Sequence, residues 1–329
     1  MKKIIALCLV FVALCTGLGF KTYKNSKAIV IYTSTEDYNM ELLQKRLNQA
    51  FPKYNIEVVY VSTSNIASKI IEEGSSSECD IIFQQDYGYL DMMINEGVLA
   101  DVSDKYDSSL FMEDMLGKNQ NYIIPTTRNG GAIIINKNKL AEKNLPKPTC
   151  YADLLKPEYK NLISMPSAKS SSTGYMFYLS LVNAWGEEKA MKYFEAFSKN
   201  VLHFTTSGSG PVNDLINGEV AIGFGMTAQA VEKINNGHSE LEVLFFEEGS
   251  PYSLLGTSVV KGKTRVEVMN VLNYIVNSYI EESCEKYYPE KVFKNIQFEK
   301  ANFPTSITYA NMSNNVILRK EELLKKWKY

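Results

Sequence analysis

The sequence predicts an α/β protein of two doubly wound lobes joined by two crossing strands. Three observations carry this expectation. Strand-like and helix-like stretches alternate over residues 28–97 at the spacing of βαβ units on a parallel sheet. The same alternation resumes over residues 161–235. Between and after these blocks lie two strand-like runs, 122–136 (YIIPTTRNGGAIIIN) and 252–260, read as the outward and the return crossing. A chain of 329 residues is long enough for two cores of ordinary domain size. The expected division is 28–125 with 256–302 for the first lobe, and 126–255 with 303–329 for the second.

In order, residues 28–32 (AIVIY) form a buried strand by their β-branched run. A polar loop of Thr33, Ser34, Thr35, Glu36 and Asp37 follows, then a helix with Met40, Leu43 and Leu47 on one side. The second strand is 55–61, and Ser64 is expected to cap the next helix, which turns Ile66, Ile70 and Ile71 inward. The third strand is 80–83, and a helix over 87–95 stops at Gly97. Ligands of parallel sheets lie at the carboxyl ends of the strands, which here hold 33–37, 62–65 and 84–86.

In 122–136, Gly130-Gly131 is expected to divide two strand pieces. Past it, Tyr175, Tyr178, Leu179 and Val182 are spaced as one face of a helix. Ser171, Ser172 and Thr173 stand at its start, and Gly174 is expected to let the backbone approach a ligand. Such a start offers unpaired N–H groups and about half a positive charge. With hydroxyls added it makes an uncharged cradle for a phosphate-like group, although a plain N-cap explains the same residues. After a helix over 187–199 and a strand over 202–204, Ser207, Gly208 and Ser209 present hydroxyls and a glycine before Pro211 starts another helix. A strand over 219–225 ends at Met226 and Thr227, and a long helix from Arg265 carries Val268, Leu272 and Ile275.

Composition excludes several classes. Hydrophobic content of 45% with 22% charged residues describes a globular chain. A net charge of −2 with scattered Lys and Arg argues against nucleic acid as the partner. Lys2 and Lys3 before an apolar run over 4–18 read as an export signal spanning 1–20. Val12-Ala13-Leu14-Cys15 resembles a lipoprotein box, with Leu14 where a small residue is expected, so lipid anchoring through Cys15 and cleavage elsewhere both stay open. Cys79, Cys150 and Cys284 are widely spaced and contain no CxxC, which excludes a disulfide framework or zinc site. Only His203 and His238 are available for histidine chemistry. Gly208-Ser209-Gly210 lacks the full spacing of a nucleophile elbow, and His203 reads as a strand residue and not a base. No enzyme, no cofactor and no metal is expected.

Several pieces together resemble the exported solute-binding proteins of ABC importers, in the branch with ferric-ion-, hexose-phosphate- and 2-aminoethylphosphonate-binding members. They are Ile31-Tyr32-Thr33, residues 79–83 (CDIIF), residues 151–160 (YADLLKPEYK) running into Met165-Pro166 and residues 172–175 (STGY), residues 185–190 (WGEEKA) and residues 206–209 (TSGS). The resemblance covers the mature chain and implies a type 2 periplasmic-binding-protein fold, closing on a ligand held between its lobes. It further implies a location at the cell surface or in the periplasm, a monomer, and the membrane subunits of an importer as partner. Both hydroxyl-bearing helix starts of the second lobe would face the cleft. From the first lobe it points to Glu36 and Gln85, and the strand ends add Thr33, Ser34, Thr35, Asp37 and Ser64 there and Met226 and Thr227 in the second.

Ferric-ion-binding members hold the metal with adjacent tyrosines near a second-lobe strand end, where this chain reads 223–227, GFGMT. Tyr287-Tyr288 lies far along the chain and reads as surface and packing residues. Iron is therefore the alternative to a small anionic phosphate or phosphonate ligand. The aminoethylphosphonate-binding members show a Thr-x-x-Glu-Asp run similar to Thr33–Asp37, so an amino-phosphonate is favoured and a sugar phosphate comes next.

Overall fold

The computed structural model describes residues 27–313 and 315–329. The export signal and Cys15 lie outside the described residues. No helix among the described residues is long and apolar enough to cross a membrane.

The first block runs β1 (Ile29–Thr33), α1 (Asp37–Ala50), β2 (Ile56–Tyr60), α2 (Thr63–Glu73), β3 (Ile81–Asp86) and α3 (Tyr87–Asn95). β4 (Ile124–Asn136) then crosses and is followed by α4 (Lys137–Glu142). The second block is β5 (Ile163–Pro166), α5 (Ser172–Trp185), α6 (Glu187–Phe197), β6 (Val201–Thr205), α7 (Gly210–Ile216), β7 (Ile222–Met226), α8 (Thr227–Asn235) and β8 (Leu241–Leu244). β9 (Tyr252–Val259) returns to α9 (Val266–Tyr274), a π-helical segment (Ile275–Tyr279) and α10 (Ile280–Tyr287). α11 (Ile317–Lys326) ends the chain.

The strands follow the order β2-β1-β3-β9-β4-β7-β5-β6, with β8 beside β4. β1 pairs parallel with β2 and β3, and β5 pairs parallel with β6 and β7. The antiparallel pair β4–β9 runs between these groups, from Ile124 opposite Thr257 to Gly130 opposite Tyr252. Beyond Gly130, β4 pairs with β7, Gly131 facing Met226. One uninterrupted strand thus serves both halves, where the sequence suggested two pieces. The glycines stay extended and provide space: a Cβ on Gly130 would meet Glu290 Oε1 at 2.7 Å, and one on Gly131 would meet Met176 Cε at 2.8 Å.

The apolar clusters sort to the two sides of this crossing. Ile31, Leu43, Phe83, Leu272 and Tyr279 pack together on one side, with Ile66, Ile82 and Leu90 behind the same strands. Phe177, Tyr178, Phe194, Phe197, Phe224 and Trp327 pack on the other. α5 is buried on all sides over 173–182, not on a single face. The reason is a second cover: the Tyr178 ring lies 5.5 Å from Phe194 and 4.9 Å from Trp327, which α6 and the C-terminus bring over it. Asp80, fully buried, ties β1 to α9 by accepting from the Val30 N–H at 3.0 Å and pairing with Arg265 Nη1 at 2.5 Å.

Candidate ligand-binding cleft

Two adjoining cavities, of about 420 and 700 Å³, open between the halves and share Glu36, Asn129, Ser172 and Tyr288 in their walls. The first-lobe wall is the loop after β1. Thr33 is buried and its hydroxyl accepts from the Thr35 N–H at 3.1 Å, which leaves it outside both cavities. Ser34 and Thr35 do line the smaller cavity, with Ser34 accepting from the Thr63 hydroxyl at 3.0 Å. Glu36 precedes α1, makes no capping hydrogen bond, and leaves its carboxylate on the walls of both cavities. Asp37 sits exposed on the first turn of α1 and lines neither, because the helix turns it away.

Ser64 lines the smaller cavity but is not the cap; the residue before α2 is Ser62. Gln85 is corrected more sharply. Its amide donates to the Thr63 carbonyl at 2.9 Å and accepts from the Asp86 N–H at 3.0 Å, so it pins the wall from inside. Gln84 opens on the cleft instead. A register shift between Ile82 and Gln85 re-aims β3, and Gln84 carries φ +53°, a conformation costly for a non-glycine residue. What holds it is buried Asn39, which donates to Gln84 Oε1 at 2.8 Å and to Thr35 Oγ1 at 3.0 Å. Asn39 in turn accepts from the Tyr279 hydroxyl at 2.6 Å, so the long helix stabilises this wall. Gln84 belongs to the strand end 84–86 that the sequence already placed toward a ligand, whereas Asn39 carries no sequence signal that would have singled it out.

The second-lobe wall is built from two loops. Ser171 precedes α5, yet its side chain makes no capping bond, so the hydroxyl and the first N–H groups of the helix are not spent on each other. Ser171, Ser172 and Thr173 line the larger cavity together with Ser207, Gly208, Ser209 and Met226. The two loops touch closely: a Cβ on Gly208 would stand 2.4 Å from Thr173 Oγ1. The Ser207 and Ser209 hydroxyls are 3.3 Å apart. The larger cavity therefore has a hydroxyl-rich corner at a helix start, where the partial positive charge favours an anion.

Gly174 and Thr227 do not belong to this corner. A Cβ on Gly174 would meet the Pro166 carbonyl oxygen at 2.3 Å and Ser167 backbone atoms at 2.7 Å, so this glycine lets α5 pack on the strand that feeds it. Thr227 is fully buried at the start of α8. His203 Nε2 lies 3.3 Å from the Glu219 carboxylate. Cys79, Cys150 and Cys284 are free thiols.

Tyr287 and Tyr288, read from sequence as surface and packing residues, reach the cleft. Both line the larger cavity, and the Tyr287 ring lies 4.5 Å from that of Tyr38, tilted by 46°. They arrive because α9, the π segment and α10 form one long helix aimed at the loop after β1. Burial pushes the Tyr288 phenol above its ordinary range, which keeps it neutral. Among the described residues no cluster of His, Cys, Asp and Glu suits a metal.

The sequence matches the bacterial extracellular solute-binding protein family over residues 75–310. An uncharacterised protein of Haemophilus influenzae is 25% identical over 262 residues, 77% of this chain and 74% of its own length. Among solved structures, the periplasmic binding protein AfuA from Actinobacillus pleuropneumoniae, with exogenous fructose-6-phosphate bound, superposes with a TM-score of 0.74. It is 22% identical and is covered to 98%, against 92% of this chain. Iron-bound HitA from Pseudomonas aeruginosa also gives 0.74, at 15% identity, with 92% of this chain and 100% of that one covered.

Proposed function

Because this chain belongs to the bacterial extracellular solute-binding protein family, we propose that it captures a small phosphonate or phosphate ester between its two lobes. As a substrate-binding component of an ABC importer it is a binding protein and not an enzyme. The observation supporting a phosphoryl ligand is the hydroxyl-rich corner, where uncapped Ser171, Ser172 and Thr173 meet the Ser207–Ser209 loop at the start of α5. Across the cleft, the unengaged Glu36 carboxylate disfavours a bare phosphate and suits an ammonium or hydroxyl group at the ligand's far end. An amino-phosphonate such as 2-aminoethylphosphonate is the first reading. A sugar phosphate is the second, favoured by the roomy double cavity and by the fructose-6-phosphate held in the similarly folded AfuA.

Capture works by closure. The ligand docks on the second-lobe corner, and the closed form is favoured only as far as the ligand also touches the first-lobe wall. Ferric iron fits less well, since hard Fe³⁺ wants anionic oxygens and burial holds the Tyr288 phenol protonated. Anchoring through Cys15 rests on the 12–15 run alone, and loss of lipid labelling in Cys15→Ser tests it.

Calorimetric titration of 2-aminoethylphosphonate, ethylphosphonate, glucose 6-phosphate and inorganic phosphate tests the ligand reading. Ser172→Ala and Thr173→Ala should weaken phosphoryl ligands about ten- to a hundredfold each with unchanged melting temperature. Glu36→Gln should selectively weaken the amine-bearing ligand. Equal binding of ethylphosphonate and its amino analogue refutes the amine assignment, and unchanged affinity in both hydroxyl variants removes the corner from the site.

A further inference from the structure

The smaller cavity extends past the hydroxyl-rich corner to an end walled by the chain's own C-terminal segment, through Met312, Asn315, Ile317 and Lys320. Lys320 Nζ stands 5.1 Å from the Tyr175 ring centroid and 5.6 Å from that of Tyr89, one ring from each side of the cleft. Two other cations of α11 are engaged: Arg319 pairs with Glu187 at 3.0 Å and with Glu322 at 3.3 Å, and Lys326 pairs with Glu187. Lys320 has no ion-pair partner among the described residues. The carboxylate of the same wall, Asp86, accepts from the Gly88 N–H at 2.9 Å as the cap of α3, and the Lys320 charge acts on it from beyond ion-pair distance. Beside Lys320, the Tyr175 hydroxyl is shut from solvent with no hydrogen-bond partner, in a residue only 4% exposed. A buried donor left unmet is costly and calls for an acceptor.

We propose that this end of the cleft is a second subsite, taking a carboxylate on the same ligand through Lys320 and Tyr175. The ammonium already there excludes a cationic group, whereas an anionic acceptor satisfies both donors. Glu36 lines the same cavity, so an ammonium and a carboxylate on one carbon find separate partners. Resting on the phosphoryl reading, this makes the ligand a phosphonate or phosphate ester that ends in an α-amino acid.

The test uses two matched pairs that differ by that carboxylate alone: 2-aminoethylphosphonate against 2-amino-3-phosphonopropionate, and O-phosphoethanolamine against O-phosphoserine. Each is titrated into wild type, Lys320→Gln and Tyr175→Phe, with a melt of each variant as the check on folding. In wild type the carboxylate-bearing member should bind about ten- to a hundredfold tighter. That advantage should collapse in Lys320→Gln and shrink in Tyr175→Phe. No advantage in wild type, or one that survives both substitutions, overturns the second subsite while leaving the phosphoryl reading standing. Failure of all four compounds and of inorganic phosphate to bind overturns both.

Discussion

Glu290 offers a sharp test of how the crossing is held. Its carboxylate is 2% exposed and accepts from the Gly130 N–H of β4 and from the Tyr309 hydroxyl, each at 2.5 Å. Arg128, stacked 4.1 Å from the Tyr309 ring and 5.0 Å from Tyr252, pairs with Asp114 at 2.6 Å. Burial outweighs these favourable contacts and raises the Glu290 pKa from its ordinary 4.5 to about 7. Between those values the folded state keeps a proton that the unfolded chain releases, so this group makes stability fall as pH rises through the window. The deficit is complete above the folded value, and 7 minus 4.5 at about 1.4 kcal/mol per unit gives about 3 kcal/mol. Glu290→Gln keeps an acceptor for Gly130 and an amide for Tyr309 while removing the titration. Unfolding free energies measured near pH 5 and pH 8 should show the variant gaining on wild type by about 2–3 kcal/mol across the interval, the rest of the deficit lying below pH 5. A difference that stays flat, or moves the other way, refutes the argument.

Two glycines should separate stability from binding. Gly174→Ala drives a methyl into the Pro166 carbonyl and should cost about 3 kcal/mol or more, read as a lowered melting temperature. Gly208→Ala meets side-chain atoms alone, Thr173 Oγ1 at 2.4 Å, Thr173 Cβ at 3.1 Å and Ser171 Oγ at 3.4 Å, so it should lower phosphoryl affinity with little change in melting. Asp80→Ala strands Arg265 and the Val30 N–H, and denaturant unfolding should show a loss of about 3–5 kcal/mol. Ferric citrate should raise no visible tyrosinate band; a strong band abolished by Tyr287→Phe or Tyr288→Phe would instead assign the cleft to iron.

The alternation of β-branched runs with amphipathic helices was enough by itself to specify two doubly wound lobes, because those periods are local and each strand's burial follows from its own residues. Residues 29–33 and 81–83 are examples. The hydroxyls at 171–173 and 207–209 were legible for the same reason, since helix starts announce themselves in sequence. What lay beyond local pattern was which neighbour turns toward the cleft. Gln84 displaces Gln85 through a bulge against β9, and Gly174 serves strand packing because Pro166 lies beneath it. Tyr288 and Lys320 reach the cleft from more than 200 positions along the chain beyond β1, carried there by α10 and α11. Their roles depend on contacts between elements far apart in sequence, and only the packed tertiary structure decides those.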